Sequence, residues 1–280
     1  MTKKILKIFS FTAVFAYIAF CAAVYIAPQY FFYKPSSQAS DLEKAHHQGY
    51  PAQKVEYTAQ DGTKLYGWYV PPTQGKPVVV FMHGNSYNIE AFFHKQIPLI
   101  KLGYGSFMPE YRGFGDIPGT ISQNSLEQDS VAAIRWLYSQ GYRNSQIYLY
   151  GMSLGSFTAT HAAYSLGLRS PFAGLILEVP FDSLYAVVKD VIKFPLPLDY
   201  IIKDKHDNIG KIKQLRVPLL VMGAEKDTVV PVARAQNLFS QARQPKKLII
   251  YPNAQHSTLY NHNNHQDILE WLKDNEKTRP

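Results

Sequence analysis

Ser153 stands at the centre of Tyr148–Ser156, YLYGMSLGS, with Gly151 and Gly155 two residues away on either side. An apolar run that ends in G-x-S-x-G suits a serine held on a sharp strand-to-helix turn, its hydroxyl presented at a sheet edge. Glycine is needed in such a turn because it keeps a Cβ out of a crowded strand–helix crossing. A serine hydroxyl is a weak nucleophile until a base takes its proton, and that base needs a third group to orient it. Beyond a nucleophile elbow the partners follow in the order acid, then histidine. Asp227 in GAEKDTVVP and His256 in NAQHSTLY satisfy that order, each just past an apolar strand pattern. The remaining need is a pair of donors aimed at developing negative charge, worth several kcal/mol of barrier. The backbone N–H groups of Asn85, in FMHGNS, and of Leu154 are the candidates.

Each position has a rival. Glu225 is the nearest other acid, but its place inside the turn suits a solvated side chain; Glu178 ends the preceding strand and suits a structural group. His83, in the HGN tripeptide, reads as structural, and His161 as a helix-packing residue. His262 and His265 fall in the polar stretch NHNNH. With His256 they lack the i, i+4 helical pairing and acidic companion of a zinc motif, so no metal is expected.

The elements that must position these residues alternate. VEYTA and LYGWYV, joined through Asp61-Gly62, read as a β-hairpin. Pro77–Met82 is a continuous apolar run, as a strand buried on both faces requires. GSFMPE, QIYLYG, AGLILEV, VPLLVMG and KLIIYP are further strands. Helical spacing spans residues 89–102, 126–138, 154–166, 232–242 and 266–273. Strands alternating with helices imply a mostly parallel, doubly wound sheet, whose sites lie beyond the carboxyl ends of the strands. Residues 181–213 break the alternation and are too long for an ordinary connection, so they are expected to form a short helical lid.

The 280 residues carry a formal net charge of +8, with Lys3, Lys4, Lys7 and Lys34 in the first 34 residues, where no acid occurs. Elsewhere the excess is small and scattered, without a basic stripe interleaved with aromatics, so no nucleic-acid partner is expected. Residues 8–27 contain no charge, and about 20 apolar residues span a bilayer core of roughly 30 Å. Residues 1–34 are therefore expected to be an N-terminal transmembrane helix acting as an uncleaved signal anchor. The heavier positive flank predicts a cytoplasmic N-terminus, with residues 53–280 carried across the membrane as one domain. Residues 35–52 are polar and read as a tether. The single cysteine, Cys21, lies in the expected span, so no internal disulfide forms.

HGN, PEYRGFGD, YGMSLGS, LEVPFDSL, RVPLLVMGAEKDTVVP and His256 together resemble the serine α/β-hydrolase superfamily. More narrowly they are similar to its membrane-anchored, bud-emergence-type branch, grouped with serine aminopeptidase-like hydrolases. The resemblance covers residues 50–273 and the anchor. It implies the α/β-hydrolase fold, with Ser153 as nucleophile, Asp227 as orienting acid, His256 as base, and Asn85 and Leu154 as oxyanion donors. It gives Arg112 an architectural role. It implies two-step acyl transfer through an acyl-enzyme, with no cofactor, on the ester or thioester of a small or lipid-like acyl substrate. A serine at the elbow argues against the dehalogenase and epoxide-hydrolase chemistries, which use aspartate there. Two alternatives stay open: a serine aminopeptidase, and a non-catalytic membrane-anchored binding protein that retains the fold. The chain departs from the family at Gln255, where glycine usually precedes the catalytic histidine. That departure bears on rate and substrate size.

Overall fold

The computed structural model describes residues 2–47 and 49–277, with side chains from residue 11 onward apart from His47. An eight-stranded sheet organises the chain. In sequence order its strands are β1 (Gln53–Thr58), β2 (Lys64–Val70), β3 (Val78–Met82) and β4 (Gly105–Pro109), then β5 (Ile147–Met152), β6 (Gly174–Glu178), β7 (Leu219–Ala224) and β8 (Lys246–Tyr251). Their order across the sheet is β8-β7-β6-β5-β3-β4-β2-β1. β1 and β2 form the antiparallel hairpin expected at Asp61-Gly62, and β2 is antiparallel to β4; every other pairing is parallel.

The central strands are apolar without alternation because both faces are covered. All residues of β3, β4, β5, β6 and β7 are buried. The helices that cover them include α2 (Gln123–Ser139), α3 (Leu154–Gly167), α5 (Val232–Gln241) and α6 (Asn264–Lys277). Between them, α4 (Leu184–Val191) belongs to the insertion, and α1 (Thr2–Ile26) precedes everything. α2 starts three residues before the apolar pattern does, because Ser122 and Ser125 cap it reciprocally. The helix expected over 89–102 is instead a 3-10 turn, Ile89–Lys95, and a short α-helix, Ile97–Lys101, with Pro98 in its first turn.

After β3 the chain crosses toward β4, and after β5 it crosses the other way toward β6. The carboxyl ends of β3 and β5 are neighbours at this reversal, where the crevice of an open α/β sheet forms. Asn85 follows one and Ser153 the other.

The insertion at 181–213 holds α4 and two single turns, Leu198–Ile201 and Ile209–Ile212. α4 begins at a serine cap, Ser183, whose hydroxyl accepts from Ala186 N–H at 3.1 Å. The insertion meets α1: Val24 of α1 forms one small core with Val188 of α4 and with Ile201 and Ile202 further along the insertion. Tyr17 Oη donates to Pro195 O at 2.8 Å. Among the described residues no helix is long and apolar enough to cross a membrane. The side chains of residues 1–10, which hold the start of the expected span and three of its flanking lysines, lie outside those described.

The segment expected as a polar tether has structure of its own. Lys34–Pro35 pairs in parallel with Ser86–Tyr87, and Leu42–His47 is a short helix whose Ala45 is buried. Tyr33, two residues before the segment, is buried as well. The composition of 35–52 is polar because most of it faces solvent on one side; backbone pairing with the loop after β3 gives no hydropathy pattern.

Candidate active site

The elbow is built from backbone constraints. Ser153 has φ 53° and ψ −115°, a sparsely populated region for a residue with a side chain. Such strain costs on the order of 1–3 kcal/mol and persists only where the surroundings over-determine it. Here Ser153 N–H donates to Glu178 O at 2.9 Å, and Ser156 N–H donates back to Ser153 O at 2.8 Å. The flanking glycines are steric necessities. A Cβ at Gly155 would lie 1.8 Å from Met82 O, and one at Gly151 would lie 2.2 Å from Gly155 O.

From this turn the Ser153 hydroxyl meets His256. Its Oγ lies 2.9 Å from His256 Nε2, and His256 Nδ1 lies 2.7 Å from Asp227 Oδ2. The other carboxylate oxygen of Asp227 accepts from the N–H groups of Val229 and Val230, both at 2.8 Å. Those two bonds consume one oxygen and turn the other toward the imidazole. The ionised acid thus fixes the tautomer that carries its proton on Nδ1, leaving Nε2 free to take a proton from Ser153. Ser153 and Asp227 are both buried, whereas the His256 side chain is 17% exposed. Three residues 103 and 29 positions apart in sequence thereby form one hydrogen-bonded line.

Asn85 lines the same depressions as Ser153. Its carbonyl accepts from Lys34 N–H at 2.8 Å, and its amide Nδ2 donates to Phe32 O at 2.9 Å. Leu154 begins α3. Two depressions meet at Ser153 and Asn85. One is a narrow apolar cavity of about 80 Å³, walled by Phe32, Tyr33, Phe181, Leu184, Val187 and Val230. The other, of about 270 Å³, is more open and reaches Lys34, Tyr87, Phe92, His256 and Ser257. Among the described residues no carboxylate lines either one. Another cavity, of about 400 Å³, lies elsewhere, beside Glu127, Arg135 and His161, and holds none of these groups.

The rival residues are otherwise engaged. Glu178 is fully buried, 2.7 Å from Lys95 Nζ, and accepts a hydrogen bond from Tyr150. Glu225 is exposed. His83, the first residue of the loop after β3, is fully buried, with Nδ1 donating to Gly84 O and Nε2 2.9 Å from Glu110. His161 bonds Ser165 one turn on along α3 and lies 3.2 Å from Glu127. His262 is exposed, and His265 stacks near Tyr260. Among the described residues no group of three or more His, Cys, Asp or Glu is placed to hold a metal ion. Arg112 ties Asp129 of α2 to Asp61 of the first hairpin, with Nε 2.9 Å from Asp129 Oδ1 and Nη1 2.5 Å from Asp61 Oδ2. The Arg112 guanidinium, with hydrogen bonds from Thr63, holds the Asp61 carboxyl well below the usual carboxylate range. Gln255 points its backbone N–H at Thr258 Oγ1, 2.8 Å away, and its side chain is exposed.

Two residues near the site carry no motif. Tyr33 Oη lies 2.8 Å from Nε2 of His206, a fully buried histidine of the lid. Burial pushes the His206 pKa down to about 3, so the ring is neutral. An isolated histidine in a lysine-rich loop gives no periodic or spacing signal, and only its burial marks it.

Comparison with known proteins gives a consistent answer. Residues 77–205 match the family model described as the alpha/beta hydrolase fold. Residues 202–263 match the model described as serine aminopeptidase, S33. The uncharacterized protein YfhR of Escherichia coli O157:H7 is 30% identical over 261 residues, covering 90% of this chain and 88% of that one. The lysophosphatidylserine lipase ABHD12 of Danio rerio is 29% identical over 197 residues, 65% of this chain and 51% of that protein. Among solved structures, the Pyrococcus furiosus esterase Pf2001 superposes with a TM-score of 0.69 at 19% identity, covering 87% of this chain and 97% of that one.

Proposed function

The chain belongs to the serine α/β-hydrolase superfamily, and from that premise we propose that it hydrolyses carboxylic ester or thioester bonds of acyl substrates through Ser153, His256 and Asp227. The observation that carries this reading is the hydrogen-bonded line from Ser153 Oγ through His256 to a doubly anchored Asp227. His256 takes the hydroxyl proton as Ser153 Oγ adds to the carbonyl carbon. The resulting oxyanion is received by the N–H groups of Asn85 and Leu154. Collapse expels the alcohol or thiol, which takes its proton from His256 and leaves an acyl-enzyme. Water, deprotonated by the same imidazole, then releases the acid. The apolar cavity beside Ser153 suits the acyl chain, and the open depression suits the leaving group.

An aminopeptidase would need a carboxylate to hold the free amine of its substrate, and among the described residues neither depression offers one. The ester reading is therefore preferred to the peptidase one. A binding protein without chemistry has no use for a strained serine aligned on a histidine.

The test is fluorophosphonate labelling of the full chain beside Ser153→Ala, with turnover of p-nitrophenyl esters. Labelling and turnover, both lost in the variant, are expected. A folded wild type that neither labels nor turns over sinks the reading.

We further propose that residues 1–34 anchor the protein as a single-pass membrane segment, with the hydrolase domain on the extracytoplasmic side. The lysine-flanked apolar sequence supports this, as does the packing of α1 on the lid. Retention in the membrane pellet after alkaline carbonate washing is expected. Release into the supernatant would overturn it.

A further inference from the structure

The short stretch that follows α1, Phe32–Lys34, touches the site from three directions. Its backbone holds the loop after β3. Phe32 O accepts from the Asn85 side chain, Lys34 N–H donates to Asn85 O, and Ser36 N–H donates to Tyr87 O at 3.0 Å. Asn85 is thus gripped at its carbonyl and at its side-chain amide by residues some fifty positions earlier. Its side chains wall the apolar cavity beside Ser153, where Phe32 and Tyr33 face Leu184 and Val187 of α4. Its third contact is to the lid, through the hydrogen bond from Tyr33 to His206.

We propose that Phe32 and Tyr33 determine acyl-chain specificity, and that Phe32–Lys34 positions Asn85, so that the N-terminal segment is a working part of the active site as well as a connection to α1. The proposal rests on the hydrolase reading above. Its physical basis is that oxyanion donors must be fixed before charge develops, since reorganising them during reaction forfeits much of their effect. Among the described residues the loop that carries Asn85 pairs as a strand only with Lys34–Pro35, over two residues, while its ends are held by Tyr111 Oη donating to His83 O and Ile89 N–H donating to Glu110. Specificity follows from volume. A cavity of about 80 Å³ is far below the roughly 300–1,000 Å³ of typical ligand pockets and accepts a short acyl chain only. Phe32 and Tyr33 are the two aromatic rings supplied to it by the N-terminal segment, so removing either ring extends it.

The experiment compares full-length wild type, Phe32→Ala, Tyr33→Ala and Tyr33→Phe on p-nitrophenyl esters from acetate to laurate. Each is also titrated with a fluorophosphonate probe to count active sites. Wild type is expected to prefer short chains. The two alanine variants should move the optimum to longer chains and raise the long-to-short ratio of kcat/KM by about tenfold. That is the discrimination of one or two methylenes in an apolar pocket. Tyr33→Phe keeps the ring and should keep the wild-type optimum while losing several-fold in kcat as the lid contact is lost. A ratio of rate constants per labelled site is insensitive to the fraction of protein that folds. An unchanged optimum in both alanine variants, with wild type active, overturns the proposal and leaves the hydrolase reading standing. A wild type that neither labels nor turns over overturns both.

Discussion

Tyr33 and His206 lie 173 positions apart in sequence and share a buried hydrogen bond of 2.8 Å that fastens the start of the domain to its lid. The His206 ring also packs on Phe157, centroids 4.4 Å apart, at the first turns of α3 beneath the elbow. This histidine carries a pH dependence. Burial disfavours its cation, opposed by the nearby Glu127 and assisted by Lys211, and its pKa falls from 6.5 to about 3. In the unfolded chain the same ring takes a proton near pH 6.5. Between those values the unfolded state binds the extra proton, so stability is full above about pH 6.5 and is lost as pH falls toward 3. The loss contributed by this group is of order 4–5 kcal/mol over the whole window. Urea denaturation at pH 4, 5, 6 and 7 should show a slope that is reduced in His206→Phe. An equal slope in the variant would mean that other groups carry the acid sensitivity.

Asp227 acts through His256, so its charge and its geometry can be separated. Asp227→Asn preserves shape and can still accept from Val229 and Val230, but it can donate to Nδ1 and favour the wrong tautomer. A loss of about 10³–10⁴-fold in kcat is expected, with KM little changed. Steady-state kinetics on the preferred ester check this. Asp227→Asn within tenfold of wild type would point to Glu225 or another acid as the partner of His256.

At Gly155 the expectation is steric. The smallest added side chain places a carbon 1.8 Å from Met82 O, at the end of β3, and backbone on both sides must move. Gly155→Ala should displace α3 from β3 and abolish labelling of Ser153. A fall in melting temperature of several degrees should accompany it, since overpacking costs about 1–3 kcal/mol. Full labelling in this variant would show that the elbow tolerates a wider strand–helix gap than its contacts indicate.

Much of this site is legible in the sequence, and the reason is local. An apolar run that must be covered on both faces reads as a strand, and a glycine-bracketed serine directly after one reads as an elbow. Ser153 stands directly after such a run, Asp227 lies three residues beyond one and His256 five residues beyond another. What is not legible depends on long-range backbone pairing or on burial of isolated polar groups. The stretch at 35–52 looks like a linker because main-chain hydrogen bonds to Ser86 and Tyr87 leave no mark on side-chain composition. Tyr33 reads as one more aromatic at the end of an apolar segment, and His206 as one polar residue in a basic loop. The helix at 89–102 is misread as continuous because helical spacing does not register the break at Gln96, where the 3-10 turn ends. Glu178 is a milder case. Its place at a strand end is plain, but the buried lysine that neutralises it comes from another element.

That lysine gives the last prediction. Lys95 and Glu178 are buried together 2.7 Å apart, with Tyr150 donating to the same carboxylate, and the peptide oxygen of Glu178 holds Ser153 N–H. Two charges brought out of water recover their desolvation only through each other, so removing one strands the other. Lys95→Met should therefore cost about 3–5 kcal/mol. Glu178→Gln retains a group that can pair with Tyr150 but leaves the ammonium without its counter-charge. The double variant Lys95→Met with Glu178→Gln removes both charges and should recover part of the loss. A double-mutant cycle by urea denaturation would give a coupling energy of roughly 1–3 kcal/mol for residues in one buried network. Because β6 ends at this carboxylate and the elbow hangs from its backbone, Lys95→Met should also lower the fraction of Ser153 that labels. The double variant should restore it. Additive effects in both measurements would mean that the pair is a bystander to the elbow, and that the glycine contacts with Met82 and Ser156 hold Ser153 in place unaided.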